Sequence, residues 1–137
     1  MTGFTTLSLA DVEARRDEDT GAEWLPVRHA LGVSAFGINA WRATHAGVEV
    51  IERHDEASEG EAQAHQEAYL VLEGAARFTV DGTDVDVPAG SFVFVEEPAL
   101  ERAAVATEDG TVVLALGAEP GVAFGVSAWE QRALERT

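Results

Sequence analysis

The sequence contains no cysteine. Disulfides, thiolate metal sites and a cysteine nucleophile are thereby excluded. Positive charge is scarce: 9 Lys and Arg stand against 25 Asp and Glu, giving a formal net charge of −16. Phosphate backbones and anionic lipid surfaces repel such a chain, so neither a nucleic acid nor a membrane is an expected partner. The excess acid reads first as a solubilising surface, and second as an adaptation to high salt, where screening makes it tolerable. Long apolar runs are missing, and none approaches the roughly 20 residues of a membrane span. The N-terminus, MTGFTTLSLADVEARRDED, lacks a basic start followed by an apolar segment. It is therefore not read as a secretory signal, and a cytoplasmic location is the expectation. A Gly-x-Ser-x-Gly elbow, a phosphate-cradling glycine loop and a dinucleotide fingerprint are all absent, which argues against a serine hydrolase or a nucleotide-binding enzyme. Histidine is restricted to His29, His45, His54 and His65, with none later in the chain.

What remains is enough for one domain. The chain has 137 residues, 46% of them hydrophobic, which suits a single core. Ser8 to Arg16 reads as a short helix, capped by Ser8 with Asp11 three residues on. From Leu31 the texture changes to short runs rich in Val, Phe, Ile and Thr, punctuated by Gly, Pro and Asp. Strands are predicted near Val33–Ala43, Val48–Arg53, Ala68–Leu72, Ala75–Val80, Thr83–Val87, Ser91–Val95, Arg102–Ala106, Thr111–Leu116 and Val122–Ser127. Asp81-Gly82, Pro88-Ala89-Gly90, Glu97-Pro98 and Asp109-Gly110 supply the turns. Short connections without an intervening helix indicate an all-β antiparallel sandwich or barrel. The acidic stretch Asp55 to Ala64 reads as an exposed loop between two strands. Ser127-Ala-Trp-Glu130 has capping-box spacing and marks a final helical turn. The expected organisation is an N-terminal helix and extension over residues 1–30, a barrel over 31–127 and a tail over 128–137.

Two spacings carry a family resemblance. Glu67 and Gly74 lie seven positions apart around the strand Tyr69-Leu-Val-Leu-Glu-Gly. Pro88-Ala-Gly90, the strand Ser91–Val95, Glu97-Pro98 and then Arg102 follow in order. From about Val33 to Val126 the chain resembles the cupin superfamily, small double-stranded β-barrels of jelly-roll type. The resemblance implies a small-molecule ligand or substrate, a homodimer paired through sheet edges, and a metal held by three histidines and a glutamate. The second-motif histidine is replaced: Arg102 stands in its place, and a guanidinium has no lone pair with which to ligate.

His54 and Glu56 form one i, i+2 pair and His65 and Glu67 another, and strand geometry turns i and i+2 to one face. A reduced site of His54, Glu56, His65 and Glu67 suits a divalent ion such as zinc, manganese, nickel or iron, and would support an oxygenase or isomerase of small-molecule metabolism. The plain alternative is that these are solvated polar residues of an acidic chain. In the competing reading Arg102 pairs with Glu67 or Glu56, or holds an anionic ligand, in a metal-free pocket that binds a small molecule. Arg102, Glu67, Tyr69, Trp41 and Phe92 are its expected ligand-binding residues, with Phe78 and Phe94 as further aromatic candidates. For any single aromatic residue, ordinary core packing is the commoner role. Trp24 and Trp129 are expected over the barrel ends or at a subunit interface, and His29 and His45 at surface or structural positions.

Overall fold

The computed structural model describes residues 3–56 and 64–135. After a single 3-10 turn at Leu9–Asp11, the chain forms β1 (Arg15–Arg16), β2 (Glu23–Leu25) and α1 (Val27–Leu31). There follow β3 (Gly37–Ala43), β4 (Glu49–His54), β5 (Gln66–Glu73), β6 (Ala75–Val80) and β7 (Thr83–Pro88). The remaining elements are β8 (Phe92–Val95), β9 (Arg102–Ala106), β10 (Thr111–Ala118) and α2 (Ala128–Glu135). The strands build two antiparallel sheets, one six-stranded in the order β1-β2-β3-β10-β5-β8 and one four-stranded in the order β4-β9-β6-β7. Neighbours in space are distant in sequence (β10 lies between β3 and β5), as a jelly roll requires.

Period-two alternation sorts the side chains. Tyr69, Val71, Phe78, Val95, Ala104, Ala106, Val113 and Ala115 turn inward and form the main core between the sheets. A second cluster lies on the other face of the six-stranded sheet, where Val12, Leu25 and Val27 cover Ala40 and Val112. The β6–β7 hairpin closes through Asp81 and Gly82, both at positive φ, 49° and 79°. A two-residue loop of that hand matches the twist of the flanking strands.

Three expectations require correction. The predicted helix Ser8–Arg16 is only the turn Leu9–Asp11: Ser8 accepts from the Ala10 N–H, and Val12 is already extended. Beyond it Arg15 and Arg16 pair with Trp24 and Glu23, so strand pairing overrides local helical preference. The strand expected from Val33 begins at Gly37, because the chain first completes α1 and leaves it through Gly32 at φ 75°. The segment Val122–Ser127 forms no strand: the turn at Pro120-Gly121, with Gly121 at φ 72°, takes it off the sheet. The C-terminal tail is helical from Ala128 to Glu135. Of the expected acidic loop, residues 57–63 lie outside the described residues. No helix among the described residues is long and apolar enough to cross a membrane.

Candidate functional site

At one end of the barrel three strands deliver polar side chains to one point. β4 ends at His54, which pairs across the ladder with Arg102 at the start of β9. β5 contributes Glu67 and, two residues on, Tyr69, which the strand repeat turns to the same interior face. Glu56 follows β4, anchored by its backbone N–H donating to the Pro98 carbonyl at 2.8 Å. The Arg102 side chain is 0% exposed, while Glu67, Glu56 and His54 are 15%, 16% and 36% exposed. The guanidinium therefore forms the floor of the site, the carboxylates its walls and the imidazole its rim.

Arg102 Nη1 donates to Glu67 Oε1 at 3.4 Å and Nη2 to the Pro98 carbonyl at 3.4 Å. Its Nε is buried and has no hydrogen-bond partner among the described residues. The Tyr69 hydroxyl donates to the same Glu67 oxygen, and its ring packs on Phe78 with centroids 5.5 Å apart. His54 Nδ1 lies 2.6 Å from the Glu52 carbonyl. A carbonyl only accepts, so Nδ1 carries the proton and Nε2 presents its lone pair when the ring is neutral. Nε2 faces Glu67 Oε1 at 3.6 Å and Glu56 Oε2 at 3.8 Å, beyond hydrogen-bond contact with either.

The cluster carries more negative charge than its setting accommodates. Burial, reinforced by the nearby Glu67 carboxylate, pushes Glu56 up to about 7. Burial alone would depress His54, but the Glu67 carboxylate facing it and its bond to the Glu52 carbonyl outweigh that, and its pKa rises. Burial, and then the Glu67 charge, hold the Tyr69 hydroxyl well above its ordinary value, so it stays a donor.

Not every expected site residue joins this group. His65 is excluded because β5 begins at Gln66, so residue 65 lies outside the strand and the i, i+2 relation to Glu67 does not apply. Its ring lies 5.9 Å from that of Phe124, over the irregular C-terminal segment. Phe92 is 67% exposed and points away from the interior, because β8 turns Val93 and Val95 inward. Phe94 likewise faces out, whereas Phe78 lies in the core. Trp41 stacks with Trp24 and Trp129 at 6.3 and 6.4 Å rather than with the polar group. His29 and His45 are exposed.

A second buried polar group escaped sequence reasoning. Arg28 of α1 donates through Nε to Glu130 of α2 and through Nη1 to the Val33 carbonyl at 2.9 Å. Asn39 Nδ2 donates to the other Glu130 oxygen at 3.2 Å. The capping-box spacing pointed to a helix near Glu130, and nothing in the sequence named its partner 102 residues away.

His54, Glu56 and Glu67 each offer one atom that could ligate a metal, all within 4.8 Å of one another. The donor atoms suit a divalent ion, but their surroundings do not. Glu67 Oε1 already accepts from Tyr69 and Arg102. A dication here would also lie beside a fully buried guanidinium with only two carboxylates to balance both. The residues present therefore fit a resident metal poorly.

No protein-family model matches the sequence, and no curated protein matches it. Solved structures do match its fold. A cupin protein from Bacteroides fragilis is 19% identical, with 93% of each chain covered and a TM-score of 0.63. A sugar phosphate isomerase of the cupin superfamily from Silicibacter pomeroyi is 20% identical, with 84% of this chain and 76% of that one covered and a TM-score of 0.67. A predicted oxalate decarboxylase from Thermotoga maritima is 18% identical, with 82% and 97% covered and a TM-score of 0.62. The chain has the cupin fold.

Proposed function

We propose that this protein binds a small molecule at the open end of the barrel, and that Arg102 supplies there the positive charge a metal would otherwise provide. The observation that carries this reading is the burial of Arg102, 0% exposed, against Glu67. A buried arginine this close to a carboxylate is a fixed internal cation, because a guanidinium does not lose its proton. It pairs with Glu67, to which the Tyr69 hydroxyl also donates, while Glu56 and the rim residue His54 remain partly exposed, with polar atoms that a ligand can reach. Solved structures of this fold include a sugar phosphate isomerase and a predicted oxalate decarboxylase, which fits small-molecule chemistry in general.

Elemental analysis of untagged protein, before and after dialysis against a chelator, tests the metal-free part. The expected result is no stoichiometric transition metal and no change in thermal stability on chelation. A near-stoichiometric metal that Glu67→Ala abolishes would overturn the reading in favour of a metal-dependent oxygenase or isomerase.

The reading extends to a homodimer. β8 is the edge of the six-stranded sheet, with Phe92 67% and Phe94 58% exposed. Beside them runs an open groove of about 450 Å³ lined by Phe36, Ala68, Phe94, Leu116 and Pro120. An apolar edge of this kind is a liability in a monomer, and pairing two copies covers it.

A further inference from the structure

The outer face of the six-stranded sheet is apolar across four strands and covered on only one side. Phe94 and Phe92 of β8 stand opposite Ala68 and Leu70 of β5. Those oppose Leu116 and Leu114 of β10, which in turn oppose Ile38 and Ala40 of β3. Val12, Leu25 and Val27 bury the β3 side of these rows. Phe92 and Phe94 on the other side stay exposed, as does Phe36, which lines the groove beside Phe94.

An arm with exposed apolar side chains of its own starts from the same face. Leu9 packs on the covered cluster, but Gly3 to Ser8 lie in no helix or strand. Phe4 and Leu7 on this arm are 66% and 37% exposed, and no residue from Gly3 to Ser8 lines the groove of its own chain. Five residues of extended chain from Leu9 to Phe4 span about 17 Å. Only about 10 Å separates β10 from the free edge at β8, so the arm is long enough to pass beyond its own sheet. Charge favours a second copy of this segment as the occupant of the groove. Gly3 to Ala10 have no ionisable side chain in a chain with 25 acidic ones, and Glu119 is the one charged residue among those described along the groove. An uncharged arm in this groove joins two copies without apposing their acidic surfaces.

We propose that two copies of the chain exchange their N-terminal arms, with Phe4 of each seated in the groove of the other among Phe36, Phe94 and Leu116. The inference rests on the homodimer proposed above and adds what closes it; exchange of an identical element is a low-cost route to a dimer. At about 200 Å² per buried phenylalanine, the exposed parts of Phe92, Phe94, Phe36 and Phe4 supply roughly 450 Å² per copy. That is over half of the about 800 Å² each partner gives to a standard interface, and Phe4 supplies more than a quarter of it.

Because the chain has no cysteine, introduced thiols report the contact. Full-length Thr5→Cys and Ala68→Cys are mixed, left to exchange subunits and treated with a short bismaleimide. The expected product is a covalent dimer whose linked peptides join positions 5 and 68. Val105→Cys, exposed on the outer face of the other sheet beside Arg77, is the control and should give no link to position 5. In sedimentation, Phe4→Ser should weaken the dimer at least tenfold with circular dichroism unchanged. A dimer with no 5–68 link and no response to Phe4→Ser would overturn the exchange and leave the dimer standing. With both cysteines on one chain, a link formed only within single chains would also overturn it, because the arm would then lie in its own groove. A monomeric parent would remove the dimer and the exchange together.

Discussion

The Arg102 guanidinium lies 3.4 Å from the Glu67 carboxylate with none of its side chain exposed, on the strand position directly opposite His54. A charge so deeply buried persists only where its partners hold it, and Glu67 and the Pro98 carbonyl are those partners. The pair gives the open end of this barrel a permanent cation on a covalent tether. It also replaces a nitrogen lone pair, which a metal needs, with a group that has none.

Arg102→His should therefore convert the site. The substitution removes the competing cation and adds a fourth donor to His54, Glu56 and Glu67, whose atoms already lie within 4.8 Å. Zinc, nickel or manganese should then raise the melting temperature of the variant, and elemental analysis after dialysis should approach one ion per chain. The unmodified protein should show neither effect. Arg102→Met, which adds no donor, should lose roughly 3 kcal/mol of stability and gain no metal binding.

Stability should fall as pH rises from about 4.5 to above 7. Glu56 reaches about 7 in the folded state from an ordinary value of 4.5, so the folded state binds its proton more tightly than the unfolded chain does. Across that window the native state carries more protons, which makes the slope of stability against pH negative, and the slope vanishes above it. His54 acts in the same direction: the stability from its raised pKa is present below about 6.5 and is lost as pH rises through the folded value. Glu56→Gln should flatten the decline and stabilise the protein above pH 7, by on the order of 2 kcal/mol. Urea denaturation at pH 5 and pH 8 measures both effects; a variant as pH-dependent as the parent would reject this account.

Much of this architecture is local and therefore legible in the sequence. Asp81-Gly82 specifies its own hairpin, and the alternation through Glu67, Tyr69 and Val71 shows which side chains enter the barrel together. What failed depended on partners far along the chain. Arg15 is extended because Trp24 lies beside it, a pairing that no local signal in residues 8–16 announces. His65 shares a sequence spacing with Glu67 but not a strand, and one residue of boundary error reverses that inference. Phe92 and Phe94 look like pocket residues until the inward positions of β8 are seen to belong to Val93 and Val95. Arg28 and Glu130 lie 102 positions apart, and only the assembled sheet brings them together.

Removing Glu130 should release the C-terminal helix. Its carboxylate binds Arg28 and Asn39, and the Arg28 and Glu130 side chains are only 10% and 5% exposed. Glu130→Ala leaves the guanidinium buried without its counter-ion, at a cost of roughly 3–5 kcal/mol. Trp129 packs 5.2 Å from Trp24, so loosening α2 should also red-shift tryptophan emission. The double substitution Arg28→Met with Glu130→Leu should recover much of the stability. If it does not, the helix is held chiefly by Trp129 rather than by the ion pair.

Phe94→Asp should yield a monomer. Phe94 is 58% exposed on β8 and lines the apolar groove, so a carboxylate there disrupts an interface without entering the core. Sedimentation or light scattering should show half the parental mass with the fold intact by circular dichroism. A parent that is already monomeric would refute the proposed dimer.

Gly74→Ala should damage the barrel more than an equivalent change in any open turn. Gly74 adopts φ +74°, and a Cβ there would lie 2.4 Å from Thr111 Oγ1 and 2.9 Å from Thr111 Cα. Thr111 cannot withdraw, because it is fully buried and its hydroxyl bonds to the backbone at Ala75 and Glu108. The variant combines backbone strain of about 1 kcal/mol with an overpacking cost of roughly 1–3 kcal/mol. Gly90→Ala is the matched control, with φ +87° and nothing within 4 Å of the added Cβ, so it carries the strain without the clash. Thermal denaturation of the two variants separates the contributions. Equal losses would show that the Gly74–Thr111 contact imposes no constraint on the turn between β5 and β6.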